Sequence, residues 1–312
     1  MKEAVRQTRT HIGELLARHG LRPRHELGQN FLIDLNLLDF LIAQAEIGPT
    51  DLILEVGSGT GSLTASLAAL AGAVISVEVD TRMQQLTAEA VAHFSNVTLL
   101  GCDILKNKNH FSADVLEALD RGLSETNRPL KLVANLPYGV ATPVISNLVA
   151  SSYPWERMVV TIQHELAQRM AARESTSNYG ALSVWLQSQC HLEVLKTLPP
   201  DVFWPRPKVA SAMIRIDPDP ALQAKITDRE FLHQFLRGVF QQRRKLLRNV
   251  LIAMYRRELN RTQIDETLQA RGLNADARAE QLPPAQLVDL SNDFSKLMKT
   301  AADGSSPVVA NS

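Results

Sequence analysis

Seven short runs rich in branched apolar residues constrain the fold of this chain more than any other feature. They cover residues 52–56, 74–77, 97–100, 131–134, 158–162, 192–195 and 212–216. Patterns of helical period separate most of them, for example at 63–71, 82–93, 143–150 and 165–173. Strands that alternate with helices build parallel sheets. The sequence therefore predicts an α/β fold with a sheet of about seven strands, the later strands forming a hairpin.

The order of these patterns also predicts the domain organisation. Asp217, Pro218, Asp219 and Pro220 interrupt regular structure, and from Thr227 onward the sequence has helical periodicity without another strand. We expect a sheet domain over residues 1–217 and a small all-helical domain over 218–300. Residues 301–312 consist mainly of Gly, Ser, Pro and Ala without a pattern, which predicts a disordered tail.

Composition excludes several classes of protein. A chain of 312 residues with 45% hydrophobic residues can bury a substantial core. Cys102 and Cys190 are too few for a disulfide framework, and no Cys or His cluster has the spacing of a zinc site. The first ten residues lack an apolar core, and the most apolar stretch, 63–79, is interrupted by polar residues. We therefore expect a cytoplasmic protein without a metal site or a membrane segment.

Charge is balanced over the whole chain but uneven locally. The 33 basic and 33 acidic residues give no global indication of a nucleic-acid partner. Between Arg237 and Arg261, however, eight basic residues accompany a single acidic one, Glu258. Such a stretch can be a solvated helix face or a surface for phosphates.

A glycine-rich turn follows the first predicted strand. Gly57, Gly59 and Gly61 stand between that strand and a helix, an arrangement that lets a backbone approach a ligand closely. A dinucleotide site would carry a further glycine at position 62, where this chain has Ser62. The spacing matches the first motif of class I methyltransferases instead, which favours S-adenosylmethionine as the cofactor.

Two carboxylates follow the next two strands. Glu78 closes the second strand, where a carboxylate can accept hydrogen bonds from the hydroxyls of a ribose. Asp103 follows the third strand and can accept a bond from the exocyclic amine of a cofactor adenine, or cap a loop or helix. Both positions suit the adenosine part of a methyl donor.

Asn135, Leu136, Pro137 and Tyr138 end the fourth strand, at the edge where open parallel sheets bind ligands. An adenine exocyclic nitrogen is a poor nucleophile because its lone pair is delocalised into the ring. The amide oxygen of Asn135 and the carbonyl of Leu136 can accept its two N–H bonds and hold it in line for methyl transfer. Tyr138 can stack on the base, and Pro137 stiffens the loop.

Phe203 is a second aromatic candidate for this acceptor site. It lies in a loop between the last two strands that also contains Pro205 and Pro207. The loop can be a simple connection, or Phe203 can cover the other face of the base and complete a sandwich with Tyr138.

In this order, these residues resemble the ribosomal RNA adenine dimethyltransferase family, the KsgA family, from about Arg22 to Leu297. The segments that carry the resemblance are Gly28-Gln29-Asn30-Phe31-Leu32, the turn at Gly57, Gly59 and Gly61, Glu78, Asp103, Asn135 to Tyr138, Phe203 to Lys208, and Phe240-Gln241-Gln242-Arg243-Arg244-Lys245.

The resemblance implies a class I methyltransferase sheet with a helical RNA-binding domain. It implies S-adenosylmethionine-dependent dimethylation of adenines in small-subunit ribosomal RNA, on the immature subunit, by a protein that is monomeric when free. It also implies that Asn30 and Leu32 contact the donor, with Gly57, Glu78, Asp103 and Asn135 around them. The basic stretch becomes a phosphate-binding surface whose candidates are Arg243, Arg244, Lys245 and Arg248, with Arg22 and Arg24 near the site.

The chain departs from the family pattern at several positions. Leu27 stands where Phe is common, Gly139-Val140-Ala141 replaces the more usual Asn-Ile-Ser, and the stretch 105–129 is longer than in typical relatives. These departures bear on the shape of the pocket.

Three other functions stay open at this point. A large-subunit rRNA adenine methyltransferase of the macrolide-resistance type has a similar tetrapeptide, although residues 240–245 favour the small-subunit enzyme. A ribosome-assembly factor without turnover would not need the intact Glu78, Asp103, Asn135 and Tyr138. Ser62 and the tetrapeptide disfavour a nicotinamide-dependent oxidoreductase.

Overall fold

The computed structural model describes residues 8–124 and 128–304. Its α-helices are α1 (Arg9–Arg18), α2 (Leu35–Ala45), α3 (Ser62–Ala68), α4 (Thr81–Val91), α5 (Ala113–Ser124), α6 (Ala141–Ala150), α7 (His164–Met170), α8 (Ala181–Gln187), α9 (Pro220–Gln223), α10 (Arg229–Gln241), α11 (Leu247–Met254), α12 (Arg261–Ala270) and α13 (Pro284–Gly304). Its strands are β1 (Phe31–Leu32), β2 (Leu52–Val56), β3 (Ala73–Val77), β4 (Val97–Leu100), β5 (Leu105–Asn107), β6 (His110–Phe111), β7 (Leu130–Asn135), β8 (Trp155–Gln163), β9 (Cys190–Leu198), β10 (Phe203–Trp204) and β11 (Ser211–Pro218).

A seven-stranded sheet in the order β4-β3-β2-β7-β8-β11-β9 forms the centre of the fold. The five strands from β4 to β8 in this order are parallel, and β11 runs antiparallel to β8. All seven predicted strands are present, which confirms the predicted fold class. The later strands extend beyond the predicted bounds, because apolar runs mark the buried centre of a strand while ladder hydrogen bonds continue into its polar ends.

The sheet reverses its direction of growth between β2 and β7. From β2 the chain adds β3 and then β4 on one side, and from β7 it adds β8 on the other. In open α/β sheets, the loops at the carboxyl ends of the strands leave a crevice at such a reversal. The glycine turn after β2 and the tetrapeptide that ends β7 therefore lie side by side.

The core explains why the central strands read as continuous apolar runs. Every residue of β2 is buried, and so is every residue of β7 except Asn135. One core cluster joins Leu41 of α2 and Leu67 of α3 to Ile53, Val133 and Val159 of the sheet. Burial on both faces is the usual condition of a parallel sheet.

The stretch 105–129, which the sequence left without a role, forms a short hairpin of β5 and β6 followed by α5. Val115, Ala118 and Leu119 are the buried residues of α5, and the helix packs against β3 and β4. The 12 residues of α5, about half of the stretch, therefore form a crossover helix of the sheet. Residues 125–127 lie outside the described part of the chain.

The chain divides into two compact units. The first comprises the described residues up to Ala167 together with Leu192–Pro218, and the second comprises Gln168–His191 together with the described residues from Asp219 onward. The expected boundary after residue 217 therefore assigned Gln168–His191 to the wrong unit. The physical reason is packing: the Tyr179 hydroxyl donates to the carbonyl of Leu282 at 2.8 Å, and α8 packs against α10 and α13.

The second unit has an aromatic core of its own. The ring of Phe294 lies 5.2 Å from that of Tyr255 and 6.0 Å from that of Phe235, measured between centroids. The tail expected over 301–312 begins inside α13, which extends to Gly304. Residues 305–312 lie outside the described part of the chain.

No helix within residues 8–124 and 128–304 is both long and apolar enough to cross a membrane. Over the same residues, no group of three or more His, Cys, Asp or Glu side chains is arranged to hold a metal ion.

Candidate active site

A cavity of about 810 Å³ lies at the reversal point of the sheet. Its walls come from residues 26–32, the turn after β2, the residues after β3 and β4, the end of β7 and residues 206–209. The predicted site residues that line it are Asn30, Leu32, Gly57, Gly59, Glu78, Asp103, Asn135, Pro137 and Tyr138. Gly61, Leu136 and Phe203 are predicted site residues that do not line it.

The glycine turn leaves no space for a side chain at Gly57 or Gly59. Gly57 has a φ of 82°, and a Cβ there would lie 2.9 Å from Cγ of Pro137. Gly59 has a φ of 57°, and a Cβ there would lie 2.9 Å from Cε1 of Phe31. These glycines bring the backbone of the turn to the cavity wall.

Gly61 has a packing role that the sequence did not indicate. It is the N-cap of α3, and a Cβ there would lie 2.8 Å from Cβ of Ala90 and 2.9 Å from Cα of Thr87. The residue therefore permits close packing of α3 against α4. Contact of Gly61 with the cofactor stays a prediction.

Glu78 is buried at the cavity wall, with 8% of its surface exposed. Its Oε2 accepts a hydrogen bond from the backbone N–H of Gly59 at 3.0 Å, and its Oε1 accepts one from Asp80 at 3.0 Å. Burial raises the pKa of the Glu78 carboxyl, although these backbone donors act in the opposite direction. Each carboxylate oxygen keeps a lone pair that can accept a bond from a ligand hydroxyl.

Glu55 is a cavity residue that the sequence reasoning missed. Its Oε2 accepts hydrogen bonds from the hydroxyls of Thr64 at 2.6 Å and Ser76 at 2.7 Å. Among the described residues its Oε1 has no partner. Burial, and to a smaller degree the charge of Glu78, raises the pKa of Glu55 to about 7. A carboxylate inside the otherwise apolar run 52–56 was the signal that could have identified it.

The N-terminal segment fixes the orientation of the Asn135 amide. Its Nδ2 donates to the backbone carbonyl of Asn30 at 2.8 Å. Because a carbonyl can only accept, the amide nitrogen must face Asn30, and Oδ1 points away from it. The Asn30 side chain in turn donates to the carbonyl of Gly28 at 3.2 Å. Residues 28–30 thus orient the Asn135 amide as well as lining the cavity.

Tyr138 is anchored at its far end. Its hydroxyl shares a hydrogen bond of 2.7 Å with the hydroxyl of Ser211, which is fully buried at the start of β11. Burial raises the pKa of the Tyr138 hydroxyl. Leu136 is buried, and its backbone N–H donates to the carbonyl of Thr161 at 3.1 Å. The role of the Leu136 carbonyl stays a prediction.

Phe203 lies in the core and not at the cavity. It is 2% exposed, belongs to the core cluster of the sheet, and stands opposite Leu32 in the antiparallel pair of β1 and β10. Phe203 therefore does not line the cavity, and its contact with the second face of the base stays a prediction. The pairing of β10 with β1 directs the Phe203 side chain into the apolar core. The same pairing holds the segment around Leu32 in place.

Asp103 lies at the cavity and also forms a local hydrogen bond in its loop. It is exposed, it lines the cavity, and its Oδ1 accepts a hydrogen bond from the backbone of Leu105 at 2.9 Å. Leu27, Gly139 and Val140, which depart from the family pattern, also line the cavity. Ala141 is fully buried and does not line it.

Two of the four predicted RNA-binding residues form contacts within the helical unit. Arg243 donates to the carbonyl of Tyr179 at 2.7 Å and lies 3.5 Å from Glu280. Arg248 forms a two-point pair with Asp265, at 2.6 and 2.8 Å. Arg244 and Lys245 are exposed. Only the second two are available to a phosphate without breaking an internal contact.

Arg206 and Lys208 add positive charge at the cavity itself. Both line it, both are exposed, and neither has an acidic partner in the described part of the chain. They belong to the segment from Phe203 to Lys208 that carries the family resemblance. The sequence reasoning assigned them no role of their own.

Comparison with known proteins decides the family of this chain. A family model described as ribosomal RNA adenine dimethylase matches residues 20–296. The chain belongs to this family. Membership confirms the prediction of a methyltransferase and excludes the nicotinamide-dependent oxidoreductase.

Curated relatives within the family cover nearly the whole chain. A protein named ribosomal RNA small subunit methyltransferase A from Halothermothrix orenii is 36% identical over 280 residues, which are 89% of this chain and 90% of the relative. A protein of the same name from Geobacillus thermodenitrificans is 36% identical over 289 residues, 92% of this chain and 96% of the relative.

Solved structures show the same fold. A dimethyladenosine transferase from Plasmodium falciparum has a TM-score of 0.70 at 23% identity and covers 85% of this chain and 97% of its own. The 23S rRNA methyltransferase ErmE has a TM-score of 0.58 at 22% identity and covers 85% of this chain and 100% of its own. At these identities the likeness concerns the fold alone.

Proposed function

We propose that this chain transfers two methyl groups from S-adenosylmethionine to the exocyclic amine of adenines in small-subunit ribosomal RNA. Membership of the adenine dimethylase family and the names of the curated relatives support the reaction and the subunit. The observation that carries the mechanism is the hydrogen bond from Asn135 to the Asn30 carbonyl, which turns the amide oxygen away from Asn30.

The chemistry of the residues that line the cavity supports S-adenosylmethionine as the cofactor. The unpartnered Oε1 of Glu55 is suited to the ammonium group, and Glu78 is suited to the ribose hydroxyls. Gly57 and Gly59 present backbone without a side chain at the cavity wall, which suits close approach of a ligand, and Asp103 is suited to the adenine amine. When bound, the cofactor supplies a methyl group on a positively charged sulfur, which is electrophilic.

The chain's own residues then orient the nucleophile. The Asn135 amide oxygen accepts one N–H of the target amine, so the nitrogen lone pair is directed out of the ring plane. As the nitrogen gains positive charge in the transition state, this hydrogen bond strengthens. Tyr138 stacks on the base, a contact worth about 1–3 kcal/mol, and its bond to Ser211 keeps the ring in place. No general base is needed before attack.

Room for a second methyl group is suggested at Gly139. The residue lines the cavity, and a Cβ there would meet no atom within 4 Å. Ala141, the other small residue after Tyr138, does not line the cavity and is not part of this explanation. We expect Gly139→Val to accumulate monomethyladenosine, measured over time by mass spectrometry of nucleosides. Unchanged product ratios would exclude Gly139 from the second transfer.

For RNA binding we propose the immature small subunit as the partner of a monomeric, cytoplasmic protein. Arg206 and Lys208 at the cavity are suited to the phosphates around the target adenine, together with the exposed Arg22 and Arg24. Arg244 and Lys245 of the helical unit extend the candidate surface.

The deciding experiment treats subunits from unmethylated cells with enzyme and excess donor and measures methylated adenines by mass spectrometry. We expect dimethyladenosine in small-subunit RNA. Asn135→Ala should lower kcat on the order of 100-fold and weaken donor binding, measured by calorimetry, much less. Asn109→Ala, which changes an exposed asparagine of the hairpin, serves as the control. Dimethylation of large-subunit RNA instead would favour the macrolide-resistance type, and full turnover by Asn135→Ala would remove that residue from the mechanism.

A further inference from the structure

We propose that Gln163 is a positioning residue that reads the edge of the acceptor adenine. The proposal rests on the proposed function and extends it to a residue that neither the acceptor tetrapeptide nor the glycine turn contains. Gln163 is the last residue of β8 and lines the cavity together with Asn135 and Tyr138.

Sheet register places Gln163 next to the stacking residue. In the antiparallel pair of β8 and β11, Gln163 stands opposite Ser211. The Ser211 hydroxyl is the group that holds the Tyr138 hydroxyl, at 2.7 Å. Gln163 and Tyr138 are therefore both neighbours of one buried serine, and a base stacked on Tyr138 has an edge close to Gln163.

On its other side β8 pairs with β7. This register relates Gln163 to Asn135, the residue proposed to hold the exocyclic amine. β7 and β8 are parallel, and Thr161 is the strand partner of Asn135. Alternate residues of a strand share one face of the sheet, so Gln163 lies on the face of Thr161, farther toward the carboxyl end. Gln163 therefore stands two residues beyond the strand partner of Asn135, at the carboxyl end of β8 and at the cavity that Asn135 and Tyr138 also line.

The Gln163 carboxamide has no hydrogen-bond partner among the residues that the structure describes. Other partly or fully buried glutamines are engaged: Gln29 donates to Asp80, Gln187 to the carbonyls of Met170 and Ala172, and Gln189 to that of Trp185. A partly buried amide that is left unpaired in a ligand cavity is available to the ligand.

Adenine offers a matching group. The ring nitrogens N1 and N7 stand on either side of the carbon that carries the exocyclic amine, and both accept hydrogen bonds. With the amine held by Asn135, a bond from Nε2 of Gln163 to one of these nitrogens fixes the rotation of the base about its contact with Tyr138. The hydrogen bonds to Asn135 and Gln163 then together determine the direction of the lone pair on the exocyclic nitrogen.

The test compares Gln163→Leu and Gln163→Glu with the wild-type enzyme on subunits that carry adenine, 1-deazaadenine or 7-deazaadenine at the methylated position. We expect both variants to lose roughly tenfold in kcat/KM on adenine, mainly in kcat, with donor affinity unchanged. The wild-type enzyme should lose a similar factor on one of the two analogues, and the variants should lose nothing further on that analogue.

Gln85→Leu, an equivalent change on the exposed face of α4, is the matched control and should behave as the wild-type enzyme. Gln163→Glu keeps the size of the side chain and a polar end group but replaces the N–H donor by a carboxylate oxygen, so it decides the question if Gln163→Leu does not fold. Wild-type activity of Gln163→Glu, or equal further losses by the variants on both analogues, would overturn the proposal. Absence of methylation by the wild-type enzyme on adenine would refute the proposed function itself.

Discussion

Gly59 is subject to two constraints at once, a φ of 57° and a Cβ position 2.9 Å from the ring of Phe31. We expect Gly59→Ala to lower the free energy of unfolding by about 1–2 kcal/mol through the backbone alone. It should also weaken donor binding, because Phe31 and the turn must move apart. Urea unfolding and calorimetry measure the two effects.

Gly13→Ala in α1 is the matched control for this change. A Cβ at Gly13 would meet no atom within 4 Å, and Ala is favoured over Gly in a helix by about 1 kcal/mol. The control should therefore stabilise the protein. Equal effects of the two substitutions would show that the glycine turn has no special requirement for glycine.

Glu55 predicts a dependence of stability on pH. Below the ordinary pKa of 4.5, both the folded and the unfolded chain hold the proton, and above about 7 both release it. Between these values only the unfolded chain is ionised at Glu55, so this residue lowers the free energy of unfolding as pH rises. Glu55→Gln should remove that decrease. Its stability relative to the wild-type protein should rise between about pH 5 and pH 7 and then stay constant.

Unfolding of both proteins at several pH values measures this difference. A Gln side chain keeps an oxygen for the hydroxyls of Thr64 and Ser76. The comparison therefore isolates the charge. A constant stability difference across the range would show that Glu55 has an ordinary pKa in the folded state.

At the scale of elements, one ion pair connects α2, β2 and β7 at the end of the sheet opposite the cavity. Nζ of Lys131, near the start of β7, lies 2.7 Å from Oδ2 of Asp51, which directly precedes β2. Lys131 also donates to the carbonyl of Glu46, the C-cap residue of α2, at 2.6 Å. Both side chains of the pair are nearly inaccessible, at 9% and 5% exposure. The pair therefore holds α2 to the two central strands.

Lys131→Met should lower the free energy of unfolding by about 3–5 kcal/mol, because it leaves the Asp51 carboxylate buried without its cation. The double variant with Asp51→Asn should recover part of this loss. Denaturant unfolding of the single and double variants measures the coupling. Additive effects would mean that the pair contributes nothing beyond its separate residues.

At the scale of the whole molecule, the formal charges balance, but the basic residues fall into two groups. One group is paired with carboxylates within the protein, and the other is available to RNA. Arg157, Arg215 and Arg271 all contact carboxylates, as Arg243 and Arg248 do. Arg206, Lys208, Arg244 and Lys245 have no acidic partner among the described residues. A count of basic residues does not distinguish these two groups.

We expect Arg244→Glu combined with Lys245→Glu to weaken subunit binding and flatten its salt dependence, because fewer counterions are released. Stability and donor affinity should be unchanged. Arg248→Glu, which reverses a single paired cation, should instead destabilise the helical unit through repulsion from Asp265. Binding measured over a series of salt concentrations checks the slope, and an unaltered slope for the double variant would identify 244–245 as a solvated surface.

Sequence patterns determined the features that depend on neighbouring residues. Runs of branched residues identified all seven strands, because the buried residues of one strand lie within a few positions of one another in the sequence. The turn at Gly57 and Gly59 was visible because its spacing is local. The segment from Asn135 to Tyr138 was recognisable because it ends a strand, and every one of these residues except Leu136 lines the cavity.

Tertiary structure decided what depends on partners far along the chain. The amide of Asn135 is oriented by Asn30, 105 residues away. Phe203 enters the core because β10 pairs with β1, and Gln168–His191 joins the helical unit because Tyr179 reaches Leu282. Periodicity reports which face of an element is buried but not the group that it is buried against. The hydrogen-bond partners of Glu55 depend on elements that are distant in the sequence. So does the absence of a partner for the Gln163 carboxamide among the described residues.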